Sequence, residues 1–166
     1  MLYEMTVSEL VMDPQTNTPI VVLREKDGER TLPIWIGIME ATAIAMQMED
    51  IQFPRPMTHD LMKNILEHLS AEVTRIEVHD LRDNTYFAWI CLNVNGKETQ
   101  VDARPSDAIA LALRTGSPIF VRDRVFRKSA KSQPSEHPPV VNAEDRDRLA
   151  KLLEDMDPEE FGKYKM

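Results

Sequence analysis

Short apolar runs separated by turn residues dominate the first third of the chain. Residues 1–12, 19–23 and 31–36 are rich in β-branched, aromatic and long apolar side chains, a composition typical of strands. The dipeptide Asp27-Gly28 stands between the second and third runs and is favoured in hairpin turns. The pattern therefore predicts three strands, of which the last two form a hairpin.

Two helices are predicted next. Residues 40–50 are rich in strong helix formers and begin with Glu40. The prolines of Phe53-Pro-Arg-Pro56 favour extended backbone, and Thr58 is then expected to cap a second helix. Helical spacing predicts a buried stripe on that helix, made of Leu61, Ile65, Leu66 and Leu69.

The same kind of pattern returns after residue 70. Strands are predicted over 73–81, 86–94 and 98–103, and Asn95-Gly96 is the strongest hairpin signal in the chain. A third helix is predicted over 105–115 and a last strand over 119–121. Pro105 suits a first helical turn and Gly116 suits a helix end. The helix starts Glu40-Ala-Thr-Ala and Asp107-Ala-Ile-Ala are alike, through either an internal duplication or chance similarity of alanine-rich helices.

Beyond residue 121 the character of the chain changes. Residues 127–139 contain three prolines among polar and basic residues, which predicts an extended linker over 122–141. Residues 142–166 are predicted to form a helical tail capped by Asn142, which docks on its own core or on a partner. Its apolar stripe is Leu149, Leu152, Leu153 and Met156. The expected fold is α+β: residues 1–121 form a mixed, largely antiparallel sheet with three helices, followed by the C-terminal helical tail.

Composition places the chain among globular proteins. Hydrophobic residues make up 42% and charged residues 29%, and no apolar stretch approaches the roughly 18 residues needed to span a membrane. The first residues show no secretion signal. Cys91 is the single cysteine and lies in an apolar run, so we expect a buried thiol in a cytoplasmic protein without membrane contact.

The formal charge of −8 argues against passive binding of nucleic acid, which usually relies on excess Lys and Arg. Residues 1–121 carry 10 basic and 18 acidic side chains, whereas residues 122–141 carry 5 basic and 2 acidic ones. An acidic body that acts on phosphates would need a divalent cation to offset the repulsion.

Two segments contain polar residues that helix or strand periodicity does not explain. They are Phe53-Pro-Arg-Pro-Met-Thr-His-Asp-Leu61 and Val101-Asp-Ala-Arg-Pro-Ser-Asp-Ala-Ile109. With Leu32-Pro-Ile-Trp-Ile-Gly37 and Glu40-Ala-Thr-Ala-Ile44 they resemble, in the same order, the four motifs of the bifunctional nuclease domain family. The resemblance covers residues 1–121. It implies cleavage of RNA and DNA, as described for plant members of the family.

The carboxylates in these segments suit a divalent-metal nuclease. Such sites need several carboxylates around Mg²⁺ or Mn²⁺ and a cation near the scissile phosphate. The candidate ligands are Glu40, Asp60, Asp102 and Asp107. The candidate catalytic residues are His59, Asp60, Arg104 and Asp107. Arg55 and Arg104 are candidates for phosphate binding through bidentate contacts.

Each candidate also has a structural interpretation. Asp60 and Asp107 fall in first helical turns, where acidic side chains stabilise the helix dipole. His59 suits a simple hydrogen bond near a helix start, and Arg55 and Arg104 suit salt bridges with nearby aspartates. Ser106 is a cap rather than a nucleophile, because no base is evident beside it.

Three functions follow from these interpretations. The first is a metal-dependent nuclease for RNA and DNA. The second is a non-catalytic ligand-binding or regulatory module that forms homo-oligomers, with a dimer favoured. In the third, the C-terminal helix binds a protein partner, with residues 122–131 as a basic contact strip.

Overall fold

The computed structural model describes residues 1–132, and in this part of the chain one seven-stranded sheet carries four helices. The strands are β1 (Leu2–Met12), β2 (Pro19–Glu25), β3 (Thr31–Trp35), β4 (Ala71–Arg82), β5 (Thr85–Val94), β6 (Lys97–Ala103) and β7 (Ile119–Arg122). The helices are α1 (Ile38–Met48), α2 (Thr58–His68), α3 (Pro105–Thr115) and α4 (Asp123–Ser132). The expected α+β class is confirmed. The tail helix predicted from Asn142 lies outside the described residues.

The sheet has the order β3-β2-β1-β7-β4-β5-β6. Strands β1 to β3 and strands β4 to β6 form two antiparallel meanders, and each meander leads into a helix. Strand β7 joins the meanders, since Val121 pairs with Tyr3 in antiparallel and with Val78 in parallel register. The two halves thus repeat one arrangement, although duplication remains one interpretation of it.

Local signals at element ends are mostly confirmed. Asn95 and Gly96 both have positive φ, at 52° and 82°, in the turn between β5 and β6. Pro105 opens α3, and Gly116 ends it in the left-handed region at a φ of 68°. The start of α2 differs by one residue, because Met57 rather than Thr58 occupies the cap position.

The core lies between one face of the sheet and helices α1 and α3. Ile76 and Val78 of β4 and Ile109 and Leu111 of α3 are fully buried in it. Cys91 is buried as expected, and burial raises the pKa of its thiol. No helix within residues 1–132 has the length and apolarity needed to cross a bilayer.

The predicted buried stripe of α2 is wrong for three of its four residues. Leu61, Ile65 and Leu69 are 50%, 50% and 65% exposed, whereas Leu66 packs with Met62 against the core. The apolar arc of α2 is wider than its contact with α3 and β4. Spacing along the chain identifies such an arc but not the edge of it that faces the core.

The predicted linker is also wrong up to Ser132, because this segment forms α4 and packs on the sheet. Val125 is fully buried, the Phe126 ring lies 5.8 Å from that of Tyr3, and Ser129 Oγ lies 3.2 Å from Tyr86 Oη. The first proline of the segment is Pro134, so nothing breaks the helix before it. The remainder of the predicted linker lies outside the described residues.

Ionic contacts hold α4 against β4. Lys128 Nζ donates to Asp80 Oδ1 at 2.6 Å, and Arg124 donates to the backbone oxygen of His79. Asp80 is 3% exposed, and the hydrogen bonds from Lys128 and then Arg82 hold the pKa of its carboxyl well below the usual range. Residues 122–131 were predicted to contact a partner. At least two of their cations, Arg124 and Lys128, instead bind the sheet of the same protein.

Candidate active site

The first turns of three helices meet at one place on the molecule. Each of these turns contains a carboxylate, namely Glu40 in α1, Asp60 in α2 and Asp107 in α3. Acidic side chains are favoured there because the free N–H groups of a first turn carry partial positive charge. The convergence arises because α1 and α2 both pack against α3.

A chain of four side chains links these helix starts. His59 Nε2 lies 3.0 Å from Asp107 Oδ1, while Arg104 donates through Nε to Asp107 Oδ2 at 2.8 Å. Arg104 Nη2 also lies 2.9 Å from Glu40 Oε1. Exposure rises from the His59 side chain, at 10%, through Asp107, at 26%, to Arg104, at 66%, and falls to 18% at Glu40. The Arg104 guanidinium is thus accessible to solvent, and the His59 imidazole is largely buried.

The neighbours of Arg104 further favour its protonated form. The hydrogen bond to Asp107 raises the pKa of the guanidinium, and Glu40 adds to that effect. Glu40 itself folds back over Gly37, where a Cβ atom would lie 2.2 Å from Glu40 Oε2. Any other residue at position 37 would displace the Glu40 side chain, so the glycine contributes to the placement of this carboxylate.

Asp60 belongs to a neighbouring ion pair. Its Oδ1 accepts from Arg114 Nε at 2.6 Å, and its Oδ2 accepts from the backbone N–H of Met57 at 3.0 Å. The side chain of Arg114 is 5% exposed and also donates to the carbonyl oxygens of Ala110 and Ala43, both at 2.9 Å. One buried guanidinium therefore ties α1, α2 and α3 together directly behind the chain of four side chains.

Sequence reasoning missed Arg114, although a signal for it was present. Arg114 follows Asp107 by seven residues, which is two helical turns, so both side chains share one face of α3. An arginine on the face that carries the candidate aspartate is a reasonable partner for a second carboxylate. Its actual partner, Asp60, lies 54 residues away, and only the packing of the helices identifies it.

Two sequence candidates are not joined to the chain of four. Asp102 is exposed on β6, opposite Trp89 of β5, and no hydrogen bond or ion pair of the described residues links it to Glu40, His59 or Asp107. Arg55 is exposed between Pro54 and Pro56, likewise without such a link. Within residues 1–132, no three His, Cys, Asp or Glu side chains are arranged to hold a metal ion. Arg104 lies between Glu40 and Asp107 and forms an ion pair with each of them.

A cleft of about 320 Å³ opens beside Arg104. It lies where the end of β3, the tip of the β4–β5 hairpin and the start of α3 approach one another. Its lining residues are Thr18, Ile34, Trp35, Ile36, Gly37, Asn84, Thr85, Tyr86, Arg104, Pro105 and Ser106. Ser106 is 6% exposed and lies one residue inside α3, so Arg104 rather than Ser106 occupies the cap position. Arg104 is shared between the cleft and the carboxylate chain.

The α+β domain thus combines the His59–Asp107 pair, the exposed Arg104 and an adjoining cleft. The chain belongs to the bifunctional nuclease domain family, whose model matches residues 21–134. That match includes α4, which sequence reasoning had placed outside the domain.

Relatives of two kinds share this domain. An uncharacterized protein of Mycobacterium tuberculosis is 34% identical over 162 residues, which cover 95% of this chain and 97% of the relative. Bifunctional nuclease 1 of Arabidopsis thaliana is 32% identical over 107 residues, and bifunctional nuclease 2 of Oryza sativa subsp. japonica is 31% identical over 107 residues. Each plant match covers 62% of this chain and 33% of the plant protein. The similarity to the plant nucleases is thus confined to a third of their length.

Proposed function

We propose that this protein is a nuclease that hydrolyses phosphodiester bonds of nucleic acid at the joined starts of α1, α2 and α3. The observation that carries the proposal is the hydrogen-bonded chain Glu40–Arg104–Asp107–His59. Membership in the bifunctional nuclease domain family, and the similarity to plant bifunctional nucleases, support the same chemistry.

Arg104 is the phosphate-binding residue in this proposal. Its guanidinium is exposed, permanently charged and oriented by two carboxylates, and a planar guanidinium matches a phosphate in bidentate geometry. The N–H groups in the first turn of α3 lie beside it and favour the same anion. Arg55, between Pro54 and Pro56, is a second candidate and would bind another phosphate of the same nucleic acid strand.

His59 is the proton-transfer residue. With Nε2 held by Asp107, Nδ1 is the nitrogen left to take a proton from the attacking water. The water oxygen forms the new bond to phosphorus as His59 takes its proton, the bond to the leaving oxygen breaks, and that oxygen takes up a proton from solvent water. Asp107 is a positioning residue, because it orients the imidazole and stabilises its protonated form.

Dependence on Mg²⁺ or Mn²⁺ is a separate part of the proposal. Its candidate ligands remain Glu40, Asp60, Asp102 and Asp107, and carboxylate oxygens are the ligands that these ions prefer. In the described arrangement Arg104 and Arg114 already neutralise three of the four. The donor set therefore fits a divalent ion poorly unless Arg104 moves away from Glu40 and Asp107.

The test uses purified full-length protein and labelled single-stranded DNA and RNA, with Mg²⁺, with Mn²⁺ and with EDTA. The expected result is cleavage that His59→Ala lowers by about 100-fold or more, as for the loss of a general base. Absence of cleavage under every condition would refute the nuclease function. Cleavage that persists in EDTA would refute metal dependence alone, and equal cleavage by the His59→Ala protein would refute the role of His59.

A non-catalytic binding module is the second candidate, and one observation favours it. All three carboxylates at the helix starts are paired with arginines, which is how a purely structural network is arranged. This candidate predicts that neither the unmodified protein nor the His59→Ala protein cleaves any nucleic acid substrate.

A further inference from the structure

The cleft beside Arg104 has two chemically different sides. Trp35, beside the buried Ile34 and Ile36, supplies exposed apolar surface, while Asn84 and Thr85 supply exposed polar groups and Ser106 is buried at the edge. Arg104 is the charged residue of the lining. A ligand that satisfies this lining has one flat apolar part, several polar edges and one anionic group. A nucleotide has this composition.

Trp35 is held in place although it remains accessible. It is 44% exposed at the end of β3, and its indole Nε1 donates to Asp13 Oδ2 at 3.0 Å. A fixed ring loses little conformational freedom when a base stacks on it. The carboxylate of Asp13 repels a phosphate from this end of the cleft, so the phosphate belongs at Arg104 and the base at Trp35.

The size of the cleft restricts what can enter. Small-molecule sites occupy roughly 300–1,000 Å³, and this cleft, at about 320 Å³, lies at the lower end of that range. One unpaired nucleotide fits such a volume, whereas a base pair with both backbones does not. Stacking on an aromatic ring also tolerates any base, because every base has a flat face.

We infer that the cleft is a nucleotide-binding subsite in which Trp35 stacks one unpaired base while Arg104 holds its phosphate. The protein would therefore select single-stranded over double-stranded nucleic acid with little base preference. This inference rests on the proposed function for its biological meaning, but binding is measurable without cleavage.

The chain contains two tryptophans, Trp35 and Trp89, and this makes a sharp test possible. Trp89 is stacked on His79, with ring centroids 3.8 Å apart, and does not line the cleft. Full-length Trp89→Phe and Trp35→Phe proteins, both also carrying His59→Ala to prevent cleavage, are titrated with a single-stranded dT oligomer at fixed salt. We expect quenching of Trp35 emission in the first protein and unchanged Trp89 emission in the second.

A second measurement keeps Trp89 intact and covers the case in which Trp89→Phe fails to fold. Anisotropy of a labelled dT oligomer is followed with the His59→Ala protein and with its Trp35→Ala and Trp35→Phe derivatives. Loss of one stacked base predicts about tenfold weaker binding for Trp35→Ala and a smaller loss for Trp35→Phe. The matched duplex should bind at least about tenfold more weakly than the single strand.

The outcomes separate this inference from the nuclease function. Equal binding by the Trp35→Ala protein, or equal affinity for single strand and duplex, would overturn the subsite even if the protein cleaves nucleic acid. Binding that depends on Trp35, in a protein that cleaves nothing, would support the subsite and refute the nuclease.

Discussion

His59 and Asp107 lie 48 residues apart in sequence, yet His59 Nε2 and Asp107 Oδ1 are 3.0 Å apart. The contact joins the first turn of α2 to the first turn of α3, and it gives the imidazole a fixed orientation. It also separates Asp107 from Asp102, although the sequence had made both of them candidate metal ligands.

The first prediction compares these two aspartates. Asp107→Asn should lower cleavage of single-stranded nucleic acid by about 100-fold, because an amide does not stabilise the protonated imidazole. Asp102→Asn is the matched control and should stay within a few-fold of the unmodified protein, as Asp102 lies on β6 outside the chain of four. An equal loss in both variants, with folding intact by circular dichroism, would instead support a metal site that includes Asp102.

The second prediction concerns the buried guanidinium behind the site. Arg114→Met should lower the free energy of unfolding by about 3–5 kcal/mol, because Asp60 and two carbonyl groups lose their donor. Arg114→Lys keeps the charge but loses the planar guanidinium, so its unfolding free energy should lie between those of the unmodified protein and the Arg114→Met protein. Urea unfolding of the full chain measures both values. Arg55→Met, at an exposed arginine, is the control and should change stability by less than about 0.5 kcal/mol.

The third prediction is a dependence of stability on pH that originates at Asp80. The folded pKa of Asp80 is depressed, so its stabilising contribution is complete above the unfolded value of about 3.9 and is lost as pH falls through the folded value. Asp80→Asn should therefore cost about 3–5 kcal/mol at pH 7, and the difference should shrink progressively below about pH 4. A gap between the two unfolding curves that is constant from pH 7 to pH 3 would contradict this.

The fourth prediction follows from the exposed apolar side of α2. Leu61, Ile65 and Leu69 form a contiguous row on one helix, and such a surface commonly lies at an interface between subunits. We expect the protein to be a homo-oligomer that Ile65→Lys converts to a smaller species, measured by sedimentation. Asn64→Lys adds the same charge one residue earlier and should leave the mass unchanged. The prediction is wrong if the unmodified protein sediments as a monomer.

The fifth prediction tests the end of the domain. A chain ending at residue 132 keeps α4 and should unfold cooperatively, with a thermal midpoint close to that of the full chain. A chain ending at residue 121 loses the fully buried Val125 and the Lys128–Asp80 pair and should be largely unfolded. Similar thermal midpoints for the two truncated chains would place the boundary at residue 121 after all.

The sequence carried local information reliably. Pro105, Gly116 and Asn95-Gly96 mark element ends through the backbone angles that they allow, and these angles do not depend on distant residues. The order of motifs was sufficient for the family. The insertion of β7 between β1 and β4 could not be predicted, because each of its pairings joins residues far apart in the chain.

The errors have one physical origin, which is that the partner of an apolar or charged side chain is set by tertiary packing. Ile65 belongs to an apolar row that does not pack in the core, whereas Val125 is fully buried although it lies, with Phe126, in a basic segment. Asp60 was correctly expected at a helix start, but its pairing with Arg114 depends on how α2 meets α3. The metal, the partners and the catalytic roles stay predictions.

The double pairing of Arg104 has a thermodynamic consequence for selectivity. A phosphate that binds Arg104 must compete with Glu40 and Asp107, which already form ion pairs with the guanidinium. Part of its binding free energy is therefore offset by the loss of these two contacts. Free inorganic phosphate, which has nothing else to offer, should therefore be a weak competitor. If the proposed function holds, a polymer that gains additional contacts beside Arg104 would overcome the same competition, and the two ion pairs would favour it over small anions.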